Sequence, residues 1–212
     1  MLLPIKYPIN EIFRSIQGEG FHAGRPAVFI RMAGCNLKCE WCDTDHSKKF
    51  EMTAKEIVLH IVNDTGLRSG DMIVITGGEP FIHNLEELLS TIYHFRMADA
   101  ILNDVDIAVE TNGTLYATQS VNTKKMIDWL TVSPKADYLS FVEDALANAD
   151  EIKVVFGDYD PAEMSVWVER KMYNGTAFIQ PCSEDYAPAL KYVLDHPGWK
   201  LSVQIQKIID VK

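Results

Sequence analysis

No apolar run in this sequence approaches the roughly 20 residues of a membrane span, although hydrophobic residues make up 47% of the chain. The opening stretch, MLLPIKYPINEI, is broken by Pro4, Lys6 and Pro8, so no signal-peptide apolar core forms. A cytoplasmic location is expected. Lys/Arg-rich blocks are also missing, and a net charge of -10 over 212 residues argues against a phosphate-tracking nucleic-acid surface. Repeats, low-complexity tracts and linkers are absent, so a single domain over 1–212 is expected. Cysteine is scarce, at four residues. Cys35, Cys39 and Cys42 fall within eight consecutive positions, and Cys182 stands alone. A disulfide framework needs spread, paired cysteines and an oxidising compartment. This spacing points to a metal instead.

What is present is an alternation of apolar runs and helix-like segments. Strands are predicted at 27–32, 72–75, 107–109, 130–132, 152–156, 177–179 and 201–205. A capping box at Thr53 and Glu56 starts a helix carrying Ile57, Val58, Ile61 and Val62, with Gly66 as its stop. Asn84 caps a second helix carrying Leu85, Leu88, Leu89 and Ile92. Further helices are predicted at 142–149, 161–169 and 187–195. Strands separated by helices give parallel βα units, and a full eight-unit barrel takes about 250 residues. The expected fold is therefore an incomplete α/β barrel or an open sheet. Gly34-Cys35, Thr76-Gly77-Gly78-Glu79-Pro80, Glu110-Thr111-Asn112-Gly113, Ser133-Pro134-Lys135 and Gln180-Pro181 each directly follow an apolar run. In parallel α/β folds those strand ends carry the site, so these five segments are expected to line one mouth.

Cys35-x3-Cys39-x2-Cys42 offers three thiolates. Four cysteines normally close a 4Fe–4S cube; three leave one iron open to a substrate or cofactor, as an open zinc position does. Spacing alone also admits structural zinc, with His46 completing a Cys3His set in a non-catalytic binding module. Iron and zinc therefore both stand on the spacing.

The cysteines followed by Thr76-Gly77-Gly78-Glu79-Pro80 resemble the radical S-adenosylmethionine (SAM) superfamily, in which C-x3-C-x2-C and a GGE motif occur together. That resemblance implies a partial parallel β/α barrel, a 4Fe–4S cluster on Cys35, Cys39 and Cys42, and SAM chelating the open iron. Gly78 and Glu79 then face the ammonium end of SAM, the glycine pair letting backbone approach closely.

A narrower resemblance spans nearly the whole chain. Asn10-Glu11-Ile12-Phe13 through Ile16-Gln17-Gly18-Glu19-Gly20, Gly24-Arg25-Pro26-Ala27, Trp41-Cys42-Asp43-Thr44, Glu110-Thr111-Asn112-Gly113-Thr114 and Val132-Ser133-Pro134-Lys135 are similar to the 7-carboxy-7-deazaguanine synthase family. Its members convert 6-carboxy-5,6,7,8-tetrahydropterin to 7-carboxy-7-deazaguanine with loss of ammonia, on the way to queuosine. The resemblance implies pterin contacts from Ile16, Gln17, Gly18, Glu19, Thr76 and Glu110, with Arg31 on the substrate carboxylate and the terminal carboxylate at Lys212 reaching the substrate. It implies SAM contacts from Trp41, Cys42, Asp43, Gly78, Ser133, Pro134, Lys135, Gln180, Pro181, Cys182 and Ser183. Thr44 matches a magnesium (Mg2+) ligand, and flavodoxin or ferredoxin is the implied electron donor. Two features depart from the family pattern: Gln204-Ile205-Gln206-Lys207 replaces a more usual Gln-Thr-His-Lys, and Lys212 replaces proline or a small residue. An open barrel leaves sheet edges to protect, so a homodimer is expected.

Overall fold

The computed structural model describes residues 4–98, 103–158, 160–164, 176–182 and 185–212. Strand β1 (Lys6–Ile16) opens the chain and pairs antiparallel with both β2 (Pro26–Met32) and β3 (Phe50–Thr53). Helix α1 (Ala54–Asp64) starts at the expected capping box, in which Glu56 N donates to Thr53 Oγ1 and Thr53 N to Glu56 Oε2. Then follow β4 (Met72–Gly77), α2 (Glu86–Ala98), β5 (Asp106–Thr111), a short α3 (Val121–Lys125) and β6 (Trp129–Val132). The chain continues through α4 (Glu143–Asn148), β7 (Glu151–Phe156), β8 (Ala177–Pro181), α5 (Ala187–Asp195), β9 (Lys200–Leu201) and α6 (Ile205–Ile208).

Among the described residues, one nine-stranded sheet runs β3-β1-β2-β4-β5-β6-β7-β8-β9, parallel from β2 onward, with β3 and β9 at its two edges. This is the partial, open β/α barrel that the alternating pattern predicts. Period-two alternation sorts each strand's side chains between its two faces. Val28, Ile30, Ile73, Ile75, Ile107, Val109, Ile152 and Val154 pack outward beneath the helices in the main core. Ala27, Phe29, Met72, Val74 and Ala108 form a second, smaller apolar cluster. Along the same inner parity run Arg31, Thr76, Glu110, Thr131, Lys153, Val155 and Gln180, all of which border a single cavity. The sheet therefore curls around that cavity, with apolar packing at its base and polar groups toward its mouth.

Four elements differ from the pattern-based expectation. The strand expected at 201–205 holds only Lys200–Leu201, and Ile205 instead begins α6, because its backbone N–H donates to Gly18 O (3.0 Å) rather than to a neighbouring strand. The helix expected at 161–169 is a 3-10 turn over Pro161–Met164, and the rest of that stretch lies outside the described residues. Strands β1 and β3 carry no apolar alternation clear enough to be expected; pairing with β2 organises β1, and β1 in turn organises β3.

Candidate functional site

The cavity has a volume of about 760 Å³ and is bordered by residues from all five of the polar strand-end segments. The cysteine loop leaves β2 and crosses its mouth. Gly34 N donates to His46 O (2.8 Å), and Glu79 N donates to Gly34 O (3.0 Å). Asn36 links the loop to the end of β5, donating to Thr114 Oγ1 (2.9 Å) and accepting from Asn112 Nδ2 (3.0 Å). Cys35 and Cys39 are half-buried and Cys42 is exposed, and all three border the cavity. Burial raises the Cys35 and Cys39 thiols above their usual range. A soft-metal cluster needs such a set of thiolates on one loop facing one space. The GG pair follows from sterics: a Cβ at Gly78 would stand 2.0 Å from Gly34 O and 2.8 Å from Cys35 Cβ, so only glycine lets β4 and the cysteine loop approach this closely.

Beside the thiols, Lys135 donates to Ser133 O (2.8 Å) and Ser133 Oγ (2.7 Å) and lies 5.2 Å from the centre of the Trp41 ring. Burial pushes its ammonium down to about 8. Trp41 Nε1 donates to Asp158 Oδ1 (2.9 Å), so the indole is held on its edge and its face. Thr44 Oγ1 donates to Asp43 Oδ1 (3.4 Å), and Asp43 Oδ2 pairs with Lys207 at 2.7 Å.

Deeper in the cavity, Glu110 accepts from Gln17 Nε2 (3.0 Å) and from Thr76 Oγ1 (2.9 Å), tying the end of β1 to β4 and β5. Glu19 pairs with Lys153 at 2.5 Å and accepts from Gln204 (2.7 Å) and Gln206 (3.1 Å). Arg31 Nε pairs with Glu11 Oε1 (3.0 Å), in the register that sets Glu11 opposite Arg31. The guanidinium carbon lies 5.9 Å from the centre of the Phe13 ring, which itself stacks on Phe29 at 5.1 Å.

The chain is similar to known proteins over nearly its whole length. The radical SAM superfamily matches residues 29–140. The 7-carboxy-7-deazaguanine synthase of Bacteroides thetaiotaomicron is 37% identical over 205 residues, covering 96% of this chain and 98% of that protein. The chain belongs to the 7-carboxy-7-deazaguanine synthase family. The Synechocystis member is 34% identical and covers 100% of this chain and 96% of its own length. Among solved structures, QueE from Escherichia coli superposes with a TM-score of 0.68 at 28% identity, over 94% of each chain.

A 7-carboxy-7-deazaguanine synthase is a radical SAM lyase, so a 4Fe–4S cluster and SAM are its cofactors. The donor set fits them: three thiols from one loop border a space lined also by Gly78 and Lys135. The alternative of structural zinc with His46 is not favoured. Membership of a radical SAM family favours the cluster on these three thiols instead.

Ile16, Gln17, Gly18, Glu19, Arg31, Thr76, Glu110 and Lys212 all border the cavity, as do Trp41, Asp43, Thr44, Gly78, Ser133, Lys135 and Gln180. Pro134 and Pro181 are buried and Cys182 is exposed, and none of the three borders it; Ser183 lies outside the described residues. Glu79 is placed differently from the SAM-facing position expected of it. Fully buried, it accepts from Phe81 N (3.0 Å), Thr111 Oγ1 (2.7 Å) and Asn112 N (2.7 Å), and so clamps the β4 end to the β5 end. Sequence reasoning missed Lys153, Phe13 and the ion-pairing role of Glu11. The available signal for Lys153 was its position two residues from Val155 within the run Ile152–Phe156, where it is the one charged residue, which puts a lysine on the inner face.

Proposed function

We propose that this chain converts 6-carboxy-5,6,7,8-tetrahydropterin to 7-carboxy-7-deazaguanine and ammonia, within queuosine or related 7-deazapurine biosynthesis. The observation that carries the reading is that the three thiols and the Gln17–Glu110–Thr76 network open onto the same cavity. When bound, the cluster and SAM supply hydrogen-atom abstraction from the pterin, chemistry that no side chain offers. The protein binds, orients and encloses. Arg31 presents a planar fork to the substrate carboxylate, next to the Phe13–Phe29 stack on which a flat ring can lie. Glu110 and Glu19 accept from the pterin's N–H groups, and Gln17 both donates and accepts. Ile16, Gly18 and Lys212 complete that wall.

Trp41, Asp43, Ser133, Lys135 and Gln180 take SAM in this reading, along with Gly78, whose missing side chain leaves room. Thr44 supplies a hydroxyl to Mg2+, which keeps most of its waters and takes further oxygens from substrate. Flavodoxin or ferredoxin serves as electron donor, the location is cytoplasmic and the assembly a homodimer. The β3 and β9 edges, unpaired among the described residues, support the last of these.

The deciding experiment reconstitutes the protein anaerobically with iron and sulfide, then adds SAM, a low-potential reductant, magnesium and the carboxypterin. Formation of 7-carboxy-7-deazaguanine with one ammonia per turnover is expected. SAM cleavage without that product would reject the substrate, and zinc with no iron or acid-labile sulfide would reject the chemistry.

A further inference from the structure

Lys153 stands on the inner face of β7, only 7% exposed, where a cation is retained only if it is paired. Three carboxylates surround it. Glu19 pairs with it directly from the loop after β1, and Glu110 on β5 and Glu151 on β7 act on it electrostatically. Lys135, beyond the end of β6, repels it, and Lys207 in the tail is drawn to Glu19. The register places Glu110 opposite Thr131 and Thr131 opposite Glu151, so the acids converge across three adjacent strands. Of the three, Glu19 takes the ammonium, while Glu151 turns to the backbone and accepts from Phe21 N at 2.8 Å.

We propose that Lys153 is a positioning residue for substrate binding: its ammonium, seated against Glu19 inside the sheet, keeps that carboxylate a charged acceptor facing the cavity beside Glu110. This inference rests on the reading of the cavity as a pterin site. The physical need is plain. A carboxyl group this enclosed takes up a proton unless a cation opposes it, and a protonated acid turns one acceptor oxygen into a donor. Burial pushes Glu19 upward, but the Lys153 charge and hydrogen bond and the Gln204 and Gln206 amides outweigh it and hold Glu19 near 2. Glu151 has no such direct partner, and burial lifts it to about 7. Lys153 thus seats its ammonium on Glu19, which, unlike Glu151, borders the cavity. Glu19 can accept from pterin N–H groups in place of the glutamine amides. The amides are neutral, and their loss leaves the ion pair intact.

The test is binding without turnover: carboxypterin titrated into cluster-loaded protein with SAM but no reductant, followed by calorimetry between about pH 6 and pH 9. In Lys153→Met, affinity relative to wild type falls about tenfold at the acid end and recovers toward the alkaline end as Glu19 regains its charge. Lys153→Arg keeps near-wild-type affinity at every pH, and iron content and SAM affinity stay unchanged in both. Should Lys153→Met fail to fold, Lys153→Gln carries the same expectation, since it keeps a donor and removes the charge. Unchanged affinity in the neutral variants, or a loss equal at all pH values, overturns the assignment. Failure of wild type to bind the pterin at all would instead reject the substrate reading on which it rests.

Discussion

Lys212 Nζ stands 2.6 Å from Glu11 Oε2, an ion pair between residues 201 positions apart in the chain. Glu11 therefore holds two cations, Arg31 on one oxygen and Lys212 on the other. A main-chain oxygen of Lys212 is held as well, accepting from Ser15 Oγ. Lys212→Ala removes the ammonium and leaves the main-chain contact. An exposed pair of this kind contributes about 0–1 kcal/mol, so stability should hardly change and pterin affinity should fall only mildly. Deleting Val211 and Lys212 removes both contacts and should weaken pterin binding strongly while SAM binding persists. Unchanged pterin affinity in the deletion variant would show that this segment forms no part of the substrate wall.

Gly78→Ala should separate the cysteine loop from β4. The new methyl meets Gly34 O at 2.0 Å and the Gly34 carbonyl carbon at 2.6 Å, and backbone cannot rotate away as a side chain can. A loss of about 1–3 kcal/mol in stability is expected from overpacking of this kind, with reduced iron retention. Urea unfolding and iron analysis check the two effects separately. Wild-type values in both would mean that the loop shifts freely.

Glu151 and Glu19 give stability of opposite pH dependence. Glu151 is raised by burial from 4.5 to about 7, so the native state holds its proton more tightly than the unfolded chain does. Its contribution is fullest below about pH 4.5 and is lost as pH rises through about 7. Glu19, held near 2, contributes above about 4.5 and loses that contribution as pH falls toward 2. Glu151→Gln abolishes the first effect. Relative to wild type, the variant should gain about 2–4 kcal/mol between pH ~5 and pH ~8 in urea unfolding. A difference that does not vary with pH would show that Glu151 ionises freely in the native protein.

Cys35→Ala, Cys39→Ala and Cys42→Ala should each lose the cluster's iron and acid-labile sulfide, while Cys182→Ala retains them. The structural reason is that the first three border the cavity and Cys182 does not. Cluster loss in the Cys182 variant would contradict this division of roles.

The parallel core was legible because buried parallel strands read as short apolar runs, and Met72–Ile75 and Ile152–Phe156 are such runs. The motif segments were legible because each follows its run directly. Strand β1 was not, since KYPINEIFRSI mixes Lys6, Glu11 and Arg14 with its apolar residues; Glu11 borders the cavity, and Phe13 borders it while packing on the smaller apolar cluster. Glu79 misled for a related reason. A glutamate beside two glycines reads as ligand-facing, and only the three donors of Phe81, Thr111 and Asn112 show that it braces two strands instead. Lys153 hid inside an apolar run because sequence position carries no trace of partners that lie 134 residues away.

The joining of Ser15, Gly18 and Glu19 to residues 204–212 has a temporal consequence. As the chain leaves the ribosome, successive βα units can pair with neighbours close in sequence, whereas this last wall must wait for residues nearly 200 positions later than β1. Contacts of such separation form late, because loop closure comes before any reward. During synthesis the cysteine loop at 35–42 and the strand ends through Gln180 are thus made before residues 204–212 can close this side of the cavity.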